Sequence, residues 1–482
     1  MSFARETDVA VIGAGPAGLS AALAAAQAGA RVTVIDEYPQ AGGQFYKQLA
    51  GGFRVIDRAR LPGDYTKGDT LLARVRGAGI EILNEALVWG SFEPGVLSVR
   101  HRRATGTIRF RNTVVATGAY ERAAAFPGWD LPGVMTPGGA QTLVKSQQVL
   151  PGKRIVLAGS GPFLLPVAAT LIGAGANITA IYEATTPLEW AKHAPRLWGH
   201  WARMNEAVRY RGTIAKAGVP IRFGRIVVRA EGAESLERVV LMACDKRGRA
   251  VPGTEHIEEA DTLCAGYGFV PAVQLTRMMG CAHSYESGKG GWVPTHSDDM
   301  ETSVIGVFVA GEVAGIGGAH AAMAEGTLAG LMAAQRLGHT VADADVSAAR
   351  RNRSRHRTFA RLVADVFALK PDIDEIITDE TLVCRCEEVS AGAIRAAALS
   401  WGANVNFIKG VTRCGMGYCQ GRVCGSLVET LTARTLGVPA GAVDSFHVRA
   451  PLKPVTVKEL AAFHPPIPDI QHLKDIHGPH HP

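Results

Sequence analysis

Among the eight cysteines of this 482-residue chain no Cys-x-x-Cys pair occurs, so the usual dithiol redox motif is absent. Cys244, Cys264 and Cys281 stand far apart and read as small buried hydrophobes rather than reactive thiols. The opening Met-Ser-Phe-Ala-Arg-Glu-Thr-Asp lacks the basic and apolar regions of a secretory signal, so a cytoplasmic protein is expected. No aromatic-basic module accompanies the net charge of +7, which argues against nucleic-acid binding. Much of the excess is local, in Arg350, Arg351, Arg353, Arg355, Arg357 and Arg361, and reads as a solvated helix or linker before a docking face. Two uncharged stretches, Val9 to Ala30 and Ile155 to Tyr182, are long enough to span a bilayer. Each breaks at a Gly-x-Gly-Pro turn between a β-branched run and an alanine-rich segment, so a buried strand-turn-helix is expected instead and no transmembrane segment.

What is present is a chain rich in glycine, with 56, and 47% hydrophobic, enough for about three domains of ~150 residues. Asp8 to Ile12 predicts a strand, Gly13-Ala14-Gly15-Pro16-Ala17-Gly18 follows it, and a helix runs to about Gly29. Gly13 permits the tight turn, Gly15 lets backbone approach a pyrophosphate, and Gly18 allows helix to pack on strand. The helix N-terminus offers free N–H groups to phosphates. A second strand ends in Asp36 and Glu37, and Asp36 lies where a carboxylate binds a ribose hydroxyl.

Ile155 to Glu183 repeats this unit with two alterations. Leu164 replaces the third glycine and is expected to push the helix off the strand. Counting from Gly159, Tyr182 takes the place of Asp36, and the acid is displaced to Glu183. The reading is a degenerate site, serving as a scaffold or retaining an adenine nucleotide. Between Thr186 and Arg211 lies a segment dense in tryptophan, histidine and arginine, expected to be packed, with a partner-facing surface as the alternative.

Four cysteines, Cys384, Cys386, Cys419 and Cys424, mark a compact C-terminal unit, and thiolates reserved for iron fit a reducing compartment. Zinc is the competing metal, but Cys-x-Cys followed by a distant Cys-x4-Cys departs as a set from its usual spacing. Cys414 is a fifth cysteine, with replacement of Cys419 as a ligand the alternative. The tail carries His464, His472, His477, His480 and His481 in no ligand pattern and reads as an extended segment.

Several segments carry a resemblance. Val114-Val115-Ala116-Thr117-Gly118 and the stretch ending Val309-Ala310-Gly311-Glu312 resemble the flavin-contact strands of disulfide-reductase-like flavoproteins. The stretch from about 380 to 435 resembles the bacterioferritin-associated-ferredoxin-like 2Fe-2S domain, through Gly415-Met416-Gly417-Tyr418-Cys419-Gln420-Gly421-Arg422-Val423-Cys424. Gln40-Ala41-Gly42-Gly43-Gln44, Pro127-Gly128-Trp129 and Thr412-Arg413-Cys414-Gly415 resemble the flavin subunit of multisubunit amino-acid and imino-acid dehydrogenases. That family includes opine oxidases, hydroxyproline and proline dehydrogenases and hydrogen cyanide synthase. The resemblance implies an α/β fold with two dinucleotide-binding domains and a C-terminal cluster domain. It implies FAD held by Gly13, Gly15, Pro16, Ala17, Gly18, Asp36, Glu37, Gly43, Gln44, Val88, Ala116, Thr117, Gly118, Gly311 and Glu312. The cluster ligands would be Cys384, Cys386, Cys419 and Cys424.

The expected domains are 1–126 with 285–340 for FAD, 127–284 for the degenerate unit, 341–379 for a basic helical linker, 380–435 for the cluster and 436–482 for the tail. The implied function is an electron-transferring flavin and iron–sulfur subunit that needs an oxidase-like, substrate-binding partner, and optionally a small third subunit. Peripheral membrane association through an electron acceptor is the alternative location. The alternative functions are a hydrogen cyanide synthase flavin subunit, a self-sufficient NAD(P)H-dependent FAD oxidoreductase and a redox-silent scaffold.

Elemental and flavin analysis of anaerobically purified protein should return one FAD and one 2Fe-2S cluster per chain; zinc in place of iron would reject the cluster.

Overall fold

The computed structural model describes residues 2–57 and 63–463, so the five tail histidines from His464 onward lie outside the described residues. Val9 to Ile12 is continuously apolar, as a parallel strand covered on both faces requires. The strands β1 (Ser2–Ile12), β2 (Val32–Ile35), β3 (Glu81–Leu83), β4 (Ala86–Glu93), β5 (Val96–His101) and β6 (Ala104–Val115) form the first sheet. Its order is β3-β2-β1-β6-β5-β4, parallel from β3 through β6 and antiparallel through the β4–β5 hairpin. The strand Val307–Val309 adds in parallel to the far end of β6.

The helices Pro16–Gln27 and Ala319–Arg336 pack on this sheet and on each other through small residues. A Cβ on Gly326 would fall 2.1 Å from the Ala17 carbonyl oxygen, and one on Gly330 would fall 2.2 Å from that of Ala21. The seam is therefore backbone against backbone.

The chain leaves the first sheet through β7 (Ala119–Glu121), which pairs antiparallel with the returning strand Phe269–Pro271. Between them β8 (Val134–Met135), β9 (Ile155–Gly159), β10 (Ile178–Glu183), β11 (Ile221–Phe223) and the strand Thr262–Gly266 make a second, all-parallel sheet. An antiparallel three-stranded sheet, Arg225–Glu231, Arg238–Ala243 and His256–Glu259, flanks it. Val273, Leu275 and Cys281 already belong to the first core, so the return comes earlier than the expected boundary at 284/285. The proline- and glycine-rich crossover is ordered, with β8 and the short helix Pro137–Thr142 inside it.

The cysteine-rich unit comprises the hairpin Leu382–Cys384 and Val389–Ser390 with the helices Ala391–Trp401, Val405–Thr412 and Gly425–Leu436. Its Val383, Ile394 and Leu431 share one core with Trp129, Val156 and Leu263 of the second unit. The Trp129 indole N–H donates to the Leu382 carbonyl at 2.5 Å. The unit is thus fused to the second sheet rather than tethered beside it.

Two expectations are corrected. The arginine run lies on the helix Asp343–Val366 and is only partly solvated: Arg350 pairs with Asp299, Arg353 with Asp298, and Arg357 with the fully buried Glu325. In the aromatic segment Trp190 packs on Phe367, but Trp198 and Trp201 are 79% and 51% exposed and lean on each other. The helix Trp201–Lys216 is mainly polar and buries only Ile214, so it offers these rings no apolar groove. The described part of the tail lies over the first unit, with Phe463 edge-on to Trp89 at 4.7 Å and the Leu452 N–H donating to the Trp89 carbonyl.

Alanine is the better helix former by about 1 kcal/mol, yet Gly330→Ala should destabilise the protein, by ~1–3 kcal/mol from overpacking alone. A lowered Tm in calorimetry checks this, and an unchanged or raised Tm would contradict the seam.

Candidate functional site

Four chain segments meet at the N-terminus of the helix Pro16–Gln27. Gly13 has φ +107°, and a Cβ there would fall 2.3 Å from the Ala116 carbonyl oxygen. One on Gly18 would fall 1.8 Å from the Gly13 oxygen, one on Gly43 2.7 Å from the Gly15 Cα, and one on Gly311 2.8 Å from the Ala17 Cβ. The Gly42 N–H donates to the Ala14 carbonyl at 2.8 Å, fastening the Gly-Gly-Gln loop onto the first turn. Pro16 is the first helical residue and spends no amide, while the amides of Ala17 and Gly18 take no partner among the described residues. This side-chain-free cradle, with free N–H groups at a helix N-terminus, fits a dinucleotide pyrophosphate. Asp36 closes it, its carboxylate accepting from Ala14 N–H at 2.5 Å and Tyr38 N–H at 2.8 Å. Burial pushes the Asp36 carboxyl up while those two N–H groups hold it down.

The other expected flavin contacts have structural partners of their own. Glu37 is exposed and ion-paired to Lys453 from the C-terminal segment. The Gln44 amide donates to the Tyr38 hydroxyl, and the Thr117 hydroxyl donates to the Ala272 carbonyl at 2.9 Å. Gly118 has φ +77°, and its carbonyl accepts from the Ala272 N–H. Val88 sits in β4 opposite Val99, inside the first core. The Glu312 carboxylate accepts from Gly317 and Gly318 N–H at 3.3 and 2.7 Å, capping the helix Ala319–Arg336, and burial raises its pKa.

Sequence reasoning missed Glu325. Its carboxylate accepts from the Gly311 N–H at 3.0 Å and pairs with Arg357, so a buried ion pair holds the Gly311 turn. A lone acid in an alanine-rich apolar helix was the available signal.

The second unit departs from the first in three ways. Its helix starts at Leu164, whereas the first starts at Pro16, the counterpart of Pro162. Leu164 is buried in that unit's core, and the amides of Leu164 and Leu165 turn back to the carbonyls of Gly161 and Pro162. Pro166, in the first turn, has no amide to offer. The Leu164 amide, counterpart of the free Gly18 amide, is therefore spent, whereas that of Phe163, counterpart of Ala17, takes no partner among the described residues. Phe163 packs edge-on against Phe269 at 5.2 Å beside that turn. The acid, by contrast, is in place. A register shift between Ile178 and Ala180 inserts the extra residue and brings Glu183 opposite Gly159. There it accepts from Gly161 N–H at 3.1 Å and Thr185 N–H at 2.9 Å, as Asp36 does in the first unit. Tyr182 is fully buried and donates to Glu258. The expected displacement of the acid, with Tyr182 in the place of Asp36, is thus corrected, whereas the late helix start is observed.

Five thiols converge in the C-terminal unit. The sulfurs of Cys384, Cys414 and Cys424 all lie within 4.8 Å of one another, and all three residues are buried. Cys419 adjoins Cys424 and Cys386, and Cys386 is exposed. Hydrogen bonds from the Cys414 and Cys424 thiols push Cys384 down to about 2, and the same contact with Cys384 pushes Cys414 up. Gly417 must be glycine, because a Cβ there would fall 2.3 Å from the Cys386 Cβ. Gly415 and Gly421, both at positive φ, lie against the Phe446 ring. So dense a set of thiols suits a thiophilic metal or a cluster.

A link joins the two sites. Arg422, between Cys419 and Cys424, donates through Nε to the Tyr120 hydroxyl at 2.9 Å, and Tyr120 lies two residues beyond Gly118. The same guanidinium donates to the carbonyls of Cys419 and Leu452.

The profile of the pyridine nucleotide-disulphide oxidoreductase family matches residues 7–326, and that of the sarcosine oxidase A3 domain matches 378–464. An opine oxidase subunit from Rhizobium meliloti (strain 1021) is 34% identical over 94% of this chain and 98% of its own length. Hydrogen cyanide synthase subunit HcnB of Pseudomonas aeruginosa is 31% identical over 86% of this chain and 90% of its own. The crystal structure of L-proline dehydrogenase from P. horikoshii covers 95% of this chain and 80% of its own, with TM-score 0.69 and 20% identity, a likeness of fold.

Replacing Cys419 by Ser should remove the visible absorption of the cluster, whereas Cys414→Ser should leave most of it; the reverse would exchange the two in the ligand set. A pH test comes from Glu183, which burial pushes up to about 7. The folded state then binds the proton more tightly than the unfolded one, so this group's stabilising contribution is full below ~4.5 and lost as pH rises through about 7. Glu183→Gln should therefore gain Tm relative to wild type at pH 8 but not at pH 4.5; equal differences at both would refute it.

Proposed function

The chain belongs to the pyridine nucleotide-disulphide oxidoreductase family and is similar over nearly its whole length to an opine oxidase subunit, and from there we propose that it is the electron-transferring subunit of a heteromeric, dye-linked amino-acid or imino-acid dehydrogenase. It is an FAD-dependent oxidoreductase chain, a flavoprotein subunit of a dehydrogenase or oxidase. In our reading the substrate, of the opine or proline type, is oxidised on an oxidase-like partner subunit. Gly13, Gly15, Ala17, Gly18, Gly43 and Asp36 hold the dinucleotide, and Cys384, Cys386, Cys419 and Cys424 ligate a 2Fe-2S cluster, with Cys414, whose sulfur meets those of Cys384 and Cys424, as the alternative to Cys419. When bound, the flavin exchanges electrons in pairs and the cluster passes them singly.

The observation that carries this reading is the Arg422–Tyr120 hydrogen bond, which ties the flavin-side strand to the cysteine loop. Arg422 sits between two proposed ligands, so it fixes the loop that bears them against the flavin unit. A chain acting only as a scaffold has no need of such a join. A self-sufficient NAD(P)H oxidoreductase is disfavoured because the second unit starts its helix later and spends the Leu164 amide internally, where the Gly18 amide of the first unit is free. Glu183, in the position of Asp36, supports retention of an adenine nucleotide there without efficient electron donation.

The chain alone should turn over no opine or proline-type substrate with an artificial dye, and NADH and NADPH should bleach its flavin slowly or not at all. Reconstitution with the partner should restore dye reduction without NAD. Turnover by the isolated chain at the rate of the complex, or rapid stoichiometric bleaching by either nucleotide, would overturn the proposal.

A further inference from the structure

Where the returning crossover meets the cysteine-rich unit, a cavity of about 110 Å³ opens between Arg277, Trp292, Glu429 and Ser445. At ~30 Å³ each it would take about four waters, or one small organic molecule. Its chemistry is lopsided. Among the described residues eleven buried side-chain polar atoms lack a hydrogen-bond partner, and four belong to its wall: Arg277 Nε and Nη2, Trp292 Nε1 and Ser445 Oγ. Each of the four carries a hydrogen to donate. A buried donor left unpaired costs about 1–3 kcal/mol, more for a charged group, so a shared set is unusual unless something accepts from it.

Charge points the same way. Arg122, Arg422 and Arg449 also line the cavity, giving with Arg277 four guanidiniums, and the Lys409 ammonium besides, against the single carboxyl of Glu429. Arg422 is committed to Tyr120 and to two carbonyls, and Arg122 to the Gly290 carbonyl at 2.9 Å, all neutral acceptors. Arg277 stacks over the Trp292 ring at 5.2 Å and has no ion pair among the described residues. Glu429 makes no ion pair or hydrogen bond there either, and burial pushes it up to about 8, so near neutrality it is mostly protonated and acts as a further donor. Asp444 lies near enough to act on the Arg277 charge but makes no ion pair with it, and water can pair with each N–H without adding compensating charge. An oxyanion does both.

We propose that this cavity binds a small organic carboxylate, held by Arg277, Trp292 and Ser445 at the junction of the flavin and cysteine-rich units. A carboxylate is planar and accepts two parallel N–H bonds from the guanidinium edge, and the aromatic wall of Trp292 and Tyr285 favours an organic body over a bare inorganic ion. The bound molecule would tie the segment that follows the flavin-side crossover to the helix Gly425–Leu436, which starts right after Cys424. The site is separate from the dinucleotide cradle and does not depend on the function proposed above.

Calorimetric titration of the full holo-protein with succinate, inorganic phosphate and chloride at fixed ionic strength tests it. Succinate should bind at one site and raise the Tm. Arg277→Met should weaken it at least tenfold and Trp292→Phe roughly fivefold, with the flavin and cluster spectra unchanged; Trp292→Phe keeps the test valid should Arg277→Met misfold. Glu429→Gln should bind as tightly as wild type. Absence of succinate binding, preference for phosphate, or undiminished binding in Arg277→Met and Trp292→Phe would overturn the proposal. Loss of binding in Glu429→Gln would overturn it too, in favour of an amino group as the recognised element.

Discussion

The structure depends on one constraint: the helix Pro16–Gln27 is approached by backbone, not side chains, from three directions. Gly13 sits against Ala116, Gly43 against Gly15, and Gly326 and Gly330 against Ala17 and Ala21. A methyl group at any of the substituted contacts would push apart segments that lie far apart in sequence. Close packing leaves the helix N-terminus with unpaired amides facing outward, and that exposed end is what a pyrophosphate requires. The buried Arg357–Glu325 pair belongs to the same arrangement, because Glu325 also receives the Gly311 N–H. Removing one partner of such a pair costs more than the pair contributes, since the other charge is left buried.

The second unit shows the consequence of relaxing that constraint. Leu164 fills the place of a glycine, the helix starts late, and the Leu164 amide bonds inward. The sheet survives because its core is apolar and well packed, and because Glu183 still pins the loop. The unit also serves as a platform: part of its core is shared with the cysteine-rich unit. The cysteines are thereby held in a fixed relation to the crossover strands and, through Arg422, to the flavin-side strand.

The junction between the first unit and the cysteine-rich unit is polar, arginine-rich and incompletely paired, unlike the apolar cores on either side. Arginine suits such a place because its planar fork keeps its charge when buried and can satisfy several acceptors at once. Arg422 does so with three partners, whereas Arg277 retains open donors.

The sequence by itself determined the fold class and both dinucleotide units, because glycines at tight turns and apolar runs are local signals tied to backbone geometry. It also marked the cysteines, whose spacing is a property of the chain. Tertiary structure alone decided the rest. A bulge in β10 returned Glu183 to the position that counting had given to Tyr182, because register depends on strand pairing. Cys414 joined the thiol cluster because helix packing, not spacing, sets which sulfurs meet. Arg357 turned inward from a run that reads as solvated, since only the assembled helices show that Glu325 waits opposite it. Arg277, Trp292 and Glu429 carry no motif at all; they share a cavity because the crossover and the last helix converge there, and a one-dimensional pattern holds no record of that distance.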